Sequence, residues 1–414
     1  MSEALEPTRT THPGPGTPES TGTALAGPGL AGPELAVSGL AGMGEQAVSY
    51  AHASLAASTR AAYTRDWADF LTWCRAHDRH PLPADPGTVC DYLAACADLR
   101  IEGIPVYAPA TLTRRLAAIA SRHGDAGHPS PTDHPSVKVV AAGIRRTLSR
   151  ERPRRAMTAL LLEDLARISD HLPSTWPRCV TARRDWALLM LGWSGAFRRS
   201  ELSNLTWDDL RASGDGLTAH VRGSKTDQEN RGHLKAIPKA HTGPALCPLC
   251  ALATWANAIR ASRIGTVDRS ELMAATLRPS TLSPSTLSPS TLSPSTLRPS
   301  TRRHACSGDW LTAARDLGSL PVILRVDRHG NITGNPLSGH GIAAVVATRA
   351  TAAGLEGTWG GHSLRAGFIT QALRRGATFA EVMAQSGHRN PATVEGYNRQ
   401  NNPFAANAVM RLGL

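Results

Sequence analysis

Lysine is scarce in this chain. Of its 45 Lys and Arg side chains only Lys138, Lys225, Lys235 and Lys239 are lysines, so a single arginine carries little meaning and each lysine carries more. Aromatic residues make up 5% of the 414 residues, and no tyrosine occurs between Tyr107 and Tyr397. No apolar run approaches the roughly 20 residues of a membrane span, and the first residues lack a basic region leading into an apolar one, so neither insertion nor export is expected. The cysteines are odd in number and scattered, at Cys74, Cys90, Cys96, Cys179, Cys247, Cys250 and Cys306. That pattern is no disulfide framework and suits a reducing cytoplasm. Cys247 and Cys250 form a lone C-x-x-C. With no second ligand pair, packing at a helix start is expected there rather than a structural zinc.

What is present is positive charge. The formal net charge is +12, from 45 basic against 33 acidic side chains, with a pI near 10.0. This balance favours a polyanionic partner such as nucleic acid. The length leaves room for two domains plus tails, at roughly 150 residues per domain.

Residues 1–47 are rich in Gly, Pro, Ala, Ser and Thr with few large apolar side chains, too little to offset the entropy of ordering, and are expected to form a disordered tail. Four amphipathic helical stripes follow over 48–150. The first holds Tyr63, Trp67, Phe70, Leu71 and Cys74 behind Ser58 as N-cap, and the second Val89, Tyr92, Leu93 and Cys96. The third holds Leu112, Leu116 and Ile119, and the fourth Val137, Val140, Ile144 and Leu148. A small helical bundle with its aromatics in the core is expected. The stretch RRTLSRERPRRA, with Arg145, Arg146, Arg150, Arg152, Arg154 and Arg155 around Pro153, reads as a basic linker centred on residues 151–158. Its arginines are either a solvated face or contacts to a nucleic-acid backbone.

The region 159–414 opens with a helical pattern through Leu160, Leu161, Leu165 and Ile168, then the strongly apolar WALLMLGWSGAF, which suggests a buried helix. LTAHVRGSKTDQENRGHLKAIP reads as two strands joined by a polar turn carrying Lys225, and VILRVDRHGNIT as another pair turning at Gly330 and Asn331. The remainder reads as helices. Between Leu277 and Thr301 a PST-L-S/R pentad recurs, and proline every five residues blocks helix and interrupts a strand ladder. A flexible surface insertion over about 270–305 is expected.

Several residues of this region carry possible chemistry. His362 and Arg365 in GHSLR are three apart, so one helical face presents both to a single phosphate. Arg198 in GAFRRSEL offers a bidentate fork for two phosphate oxygens, with Arg199 as its rival. His388 lies in the turn SGHRNP, nine residues before Tyr397 on the short helix that follows. Each alone is an ordinary residue. A phenol, with a pKa of about 10, is a poor nucleophile at neutral pH and needs cations around the phosphate it attacks.

In that order the residues resemble the tyrosine recombinase, or phage integrase, family over about 155–400, with a looser resemblance of 48–150 to that family's core-binding domain. The family's G-x-x-R-x-S-E-L matches GAFRRSEL and selects Arg198 over Arg199; a hairpin lysine matches Lys225. The H-x-x-R pair matches His362 and Arg365, the G-H motif His388 and the nucleophile Tyr397, while Glu201 matches an acidic position that orients the site. The long loop at 270–305 and the extra Arg199 are departures that remove no catalytic group.

The resemblance implies a mainly α protein with a small antiparallel sheet, made of a helical DNA-binding domain and an α+β catalytic domain. It implies DNA cleavage and rejoining through a 3′-phosphotyrosyl intermediate, with Arg198 and Arg365 on the non-bridging oxygens and Lys225 as acid for the 5′-oxygen. Neither cofactor, metal nor ATP is required. The partners implied are a double-stranded recombination site and further copies of the chain, a tetramer on paired sites, in the cytoplasm and nucleoid. The helical pattern of Phe404, Val409, Met410 and Leu412 suits docking on a neighbouring subunit. Two alternatives are a type IB topoisomerase, which shares the chemistry but relaxes supercoils as a monomer, and a non-catalytic DNA-binding regulator; the complete catalytic set argues against the second. A P-loop reading of GSKT fails because Ser224, not glycine, precedes Lys225.

Overall fold

A computed structural model describes residues 44–46, 50, 55–151, 157–222, 232–241, 243–263, 304–307 and 310–401. Most of the expected tail, Lys225, Arg154, Arg155, all of the pentad repeat and the segment after 401 lie outside the described residues. The chain divides into two compact units, Met1–Arg154 and Arg155–Leu414.

Over residues 55–151 the first unit has four α-helices, α1 (Ala57–Ala76), α2 (Pro86–Asp98), α3 (Pro109–Asp125) and α4 (Pro135–Glu151), with a short β1–β2 hairpin (Arg100–Ile101 and Ile104–Pro105) after α2. The sequence gives α2 a defined start, because Asp85 accepts from the N–H of Gly87 at 2.7 Å and Pro86 begins the helix. At α1 the expectation fails by two residues: the N-cap is Ala56, without a side-chain cap, and Ser58 lies inside the helix. Phe70, Cys74, Val89, Tyr92, Leu93, Leu112, Ile119, Val137 and Leu148 form one core. Phe70 meets Tyr92 edge-on at 4.9 Å between centroids, so these aromatics serve packing. Arg145, Arg146 and Arg150 are not in a linker. They lie on exposed faces of α4, which continues to Glu151 because nothing before Pro153 breaks the helix.

The second unit is mainly helical with small antiparallel sheets. The apolar helix is α6 (Arg178–Ser194), buried from Trp186 through Gly192, and it follows α5 (Leu162–Asp170). After the short α7 (Arg199–Asn204) come β3 (Leu210–Ser213), β4 (Gly216–Val221) and β5 (His233–Pro238), an antiparallel sheet in that order. The expected pair is therefore joined by a third strand that its brevity concealed. Alternation turns Leu217, Ala219 and Val221 of β4 and Lys235 and Ile237 of β5 inward. α8 (Pro248–Arg263) and the one-turn α9 (Trp310–Ala313) precede the second expected pair, β6 (Leu324–Val326) and β7 (Ile332–Pro336). Asp327 accepts from the N–H groups of His329 and Asn331 at 2.8 and 2.9 Å, and Gly330, at φ 86°, closes that turn.

Four helices complete the described residues: α10 (Gly339–Ala352), α11 (Gly361–Arg374), α12 (Phe379–Ser386) and α13 (Pro391–Asn401). α11 lies hard against the chain before α5. A Cβ on Gly367 would fall 1.7 Å from the carbonyl oxygen of Leu160, so only glycine permits this approach. The N–H of Leu160 donates to Ser363 at 3.0 Å, and its carbonyl accepts from Trp193 Nε1 at 2.9 Å, which fixes α11 in depth. A separate small core of Ile369, Val382 and Val394 joins α11, α12 and α13, and the ring of Tyr397 packs on it. Among the described residues no helix is long and apolar enough to cross a membrane.

Candidate active site

The two motif residues of α11 point to different depths. Arg365 is 1% exposed, while His362, one position into the helix, reaches solvent at the rim. Arg365 is anchored by Nη1, which donates to the carbonyl of Ala196 at 2.7 Å. Ala196 holds φ at 47°, an unfavourable left-handed conformation for a residue with a Cβ, so the chain carries local strain where that carbonyl is presented. Arg365 Nη2 faces the His388 ring, 3.2 Å from Nε2. The same Nη2 is 3.4 Å from Nδ1, which also lies 2.8 Å from Ser386 Oγ, so the ring is held between a guanidinium and a hydroxyl.

Arg198 is the extended N-cap of α7, with ψ at 155°. Glu201 holds it twice, accepting from its backbone N–H at 2.9 Å and from Nη1 at 2.6 Å. Arg198 Nη2 reaches the carbonyl of Gly387 at 3.5 Å, and Gly387 ends α12 in the left-handed conformation at φ 68°. Arg199 is exposed, its aliphatic stem lying where a Cβ on Gly361 would be.

Tyr397 enters from α13, half-buried, and its hydroxyl lies 2.5 Å from His362 Nε2. The His362 and His388 rings flank it with centroids 5.8 and 5.9 Å away. The structure thus brings together Arg198, Glu201, His362, Arg365, His388 and Tyr397. Lys225 lies outside the described residues, as do Arg154 and Arg155.

One cation of the site escaped the sequence reading. Lys235, on the inner face of β5, is 1% exposed. Its Nζ donates to the carbonyl of Gln385 at 2.8 Å, stands 3.9 Å from Glu201 Oε2 and lies 5.1 Å from the centroid of Phe197. Gln385 in turn donates to the carbonyls of Ser194 and Ala236, joining the end of α6 to β5. The signals were present: Lys235 is one of four lysines, and strand alternation with Ile237 turns it inward.

The electrostatics follow from burial and crowding. Burial, with Arg365 and Arg198 nearby, lowers Lys235 to about 7 against the pull of Glu201. His388 falls to about 4, through burial first and then the charges of Arg365, Arg198, His362 and Lys235. His362 is pushed down by the protein around it and by Arg365, Arg198 and Arg199; since the residue still meets solvent, the cations are the firmer cause. Burial raises the Tyr397 phenol, with Arg365 and Arg198 pulling the other way. Arg365 itself drops to about 10 through burial and the like charge of Arg198, despite Glu201. At neutral pH both imidazoles are therefore neutral, the phenol keeps its proton, and among the described residues the cations lack enough carboxylate to balance them. A site with that deficit awaits an anion.

A phenol held against a neutral imidazole, before buried guanidinium groups, defines a class: an enzyme for nucleophilic attack on a phosphodiester by tyrosine. Residues 298–403, which contain His362, Arg365, His388 and Tyr397, match the model of the phage integrase family. The chain is 28% identical over 363 residues to an integrase/recombinase XerD homolog of Selenomonas ruminantium, covering 87% of this chain and 86% of that protein. It is 28% identical over 176 residues to the recombinase Cre of Escherichia phage P1, covering 42% of this chain and 48% of that one. A solved structure of XerH site-specific recombinase bound to a palindromic difH substrate aligns with 78% of this chain and 71% of its own, at 13% identity and a TM-score of 0.42. Residues 298–403 carry a phage integrase family domain, the family of the tyrosine recombinases. The chain is a site-specific recombinase that cleaves and rejoins DNA.

Proposed function

We propose that strand cleavage runs through a proton transfer from Tyr397 to His362. The observation that carries this is the 2.5 Å approach of His362 Nε2 to the Tyr397 hydroxyl. As the phenolic oxygen bonds to phosphorus, its proton passes to His362 Nε2, and the bond from phosphorus to the 5′-oxygen breaks. Arg198 and Arg365 take the non-bridging oxygens, whose charge grows in the transition state. Lys225 gives the leaving 5′-oxygen its proton. The 5′-hydroxyl of a partner strand then attacks the 3′-phosphotyrosyl phosphorus and returns the phenol, so the phosphodiester count is unchanged. Glu201 and Lys235 are positioning residues, acting through Arg198 and the turn before His388.

Outside the catalytic centre, Arg145, Arg146 and Arg150 on α4, with Arg154 and Arg155 beyond it, are DNA-backbone contacts. The first unit is the core-binding domain and the second the catalytic domain, working in the cytoplasm as a homotetramer on paired sites. Deleting 403–414 is expected to weaken assembly on paired DNA in native gels while leaving binding to one site intact; unchanged assembly removes that tail from the interface.

The acid and base roles separate in single-turnover cleavage of a nicked duplex, on a site selected by the protein from random DNA. Lys225→Ala is expected to slow cleavage about a hundredfold or more, and a 5′-bridging sulfur, which leaves without a proton, should restore the rate. His362→Ala should slow both substrates alike. If sulfur rescues His362→Ala and not Lys225→Ala, the two roles are reversed.

A further inference from the structure

The lone C-x-x-C has a second half after all. Cys247, just before α8, and Cys250, in its first turn, meet His304 and Cys306, and the four ligand atoms all lie within 4.8 Å of one another. Cys250 Sγ is 3.3 Å from His304 Nδ1 and 3.5 Å from Cys306 Sγ, while Cys306 Sγ is 3.8 Å from His304 Nδ1 and 3.9 Å from Cys247 Sγ. Two sulfurs bound at about 2.3 Å to one tetrahedral ion stand about 3.8 Å apart, and a sulfur and a nitrogen slightly less. The four quoted separations match those edges.

From this geometry we infer a structural zinc site formed by Cys247, Cys250, His304 Nδ1 and Cys306. Three soft thiolates and an imidazole at tetrahedral spacing select Zn²⁺ among common cellular ions. All three cysteines are buried in the main core of the second unit, where water cannot satisfy them. The surroundings suit thiolates: backbone N–H groups of Ala240 and Cys250 are directed at the Cys247 sulfur, and that of Cys306 at the Cys250 sulfur. Such bonds orient ligands and spread their charge. Binding releases the protons of the thiols that are not already ionised, so affinity falls with acid.

Four protein ligands close the coordination sphere, which makes the site structural rather than catalytic. Its place in the chain says what it holds. Cys247 and Cys250 lie before, and His304 and Cys306 after, the forty residues 264–303 that contain the proline pentads. The ion clips together both ends of that insertion, so the core strands β6 and β7 that follow keep their place whatever the insertion's length. A disulfide is the competing use of these cysteines. It would join two sulfurs at about 2.05 Å and strand the third thiol and the imidazole.

The test is metal analysis of the full-length protein purified without chelator, together with cobalt titration of the apoprotein. One zinc per chain is expected, and a cobalt form with thiolate charge-transfer and tetrahedral visible bands. Cys250→Ser and His304→Ala should lose zinc, while Cys90→Ser and Tyr397→Phe keep it. A strong chelator should lower the melting temperature of the wild type and leave that of Cys250→Ser unmoved. Substoichiometric zinc before and after reconstitution, with no tetrahedral cobalt spectrum, would overturn the site. An intact mass two hydrogens light with a Cys250–Cys306 or Cys247–Cys306 cross-link overturns it in favour of the disulfide. Neither the cobalt spectrum nor the mass depends on a variant that must fold.

Discussion

Arg115 in the first unit and Arg365 in the second are almost equally sealed from solvent, at 4% and 1% exposure, yet their surroundings are opposite. Arg115 is neutralised. Its Nη2 meets Asp69 at 2.6 Å, it donates to the Tyr92 hydroxyl, and its guanidinium lies 4.2 Å from the centroid of Tyr107. Burial opposes its charge, but Tyr92, Cys96, Tyr107 and Asp69 outweigh burial and its pKa rises. Arg365 meets a carbonyl, a neutral imidazole and further cations, and its pKa falls to about 10. A buried guanidinium with its own carboxylate is part of the core. One left short of negative charge is kept for a ligand that brings it, here the scissile phosphate.

The largest effect that can break this contrast comes from truncating each arginine. Arg365→Ala is expected to leave the protein folded and slow cleavage by about a hundredfold to a thousandfold, the loss of one transition-state donor. Arg115→Ala should cost about 3 kcal/mol of stability, the low end for a broken buried pair, because the Asp69 side chain stays 45% exposed. Once folded, that variant should cleave at the wild-type rate. Urea unfolding and single-turnover rates read the two axes separately, and a large rate loss in Arg115→Ala with no change in urea midpoint would erase the distinction.

A smaller effect sharpens it. Lys235 falls to about 7 on folding from 10.5, so between those values the unfolded chain holds the proton that the folded chain gives up. Stability from this group therefore rises with pH across 7 to 10.5, and the buried charge is a cost at and below neutrality. Lys235→Met, which leaves Glu201 paired with Arg198 at 2.6 Å, is expected to be no less stable than the wild type at pH 7. Its advantage should shrink as pH climbs toward 10.5, while cleavage is slowed about tenfold at saturating DNA through misplacement of the turn before His388, whose Gln385 carbonyl Lys235 holds. Urea midpoints across that range check the sign; an advantage that grows with pH contradicts it.

The elements legible in the sequence were those with strong periodicity or punctuation. The stripe through Phe70 and Cys74, the apolar α6 and the turn at Gly330 each follow from local chemistry that packing reinforces. β3, four residues long with one buried side chain, had too little pattern to announce itself. In the site, Arg198, Glu201, His362, Arg365, His388 and Tyr397 were named because their order along the chain follows a family's. Their geometry was not so readable. That Arg198 caps α7 instead of riding on it depends on Glu201 reaching back to its N–H, and the Arg365 anchor depends on the strained carbonyl of Ala196. Lys235 was hidden because a charged residue at an inward strand position runs against the pattern used to find strands. Cys247 and Cys250 were set aside for want of partners that stand more than fifty residues away.

The central claim is that Tyr397, held by His362 before two arginines that share the single carboxylate of Glu201, is the nucleophile. The most direct measurement is covalent trapping on a nicked suicide duplex, followed by proteolysis and mass mapping of the DNA-linked peptide. The wild type should form a denaturant-resistant adduct whose nucleotide remnant sits on Tyr397, and Tyr397→Phe should bind the same duplex and form none. An adduct formed by Tyr397→Phe, or a remnant on any other residue of the wild type, would contradict the assignment.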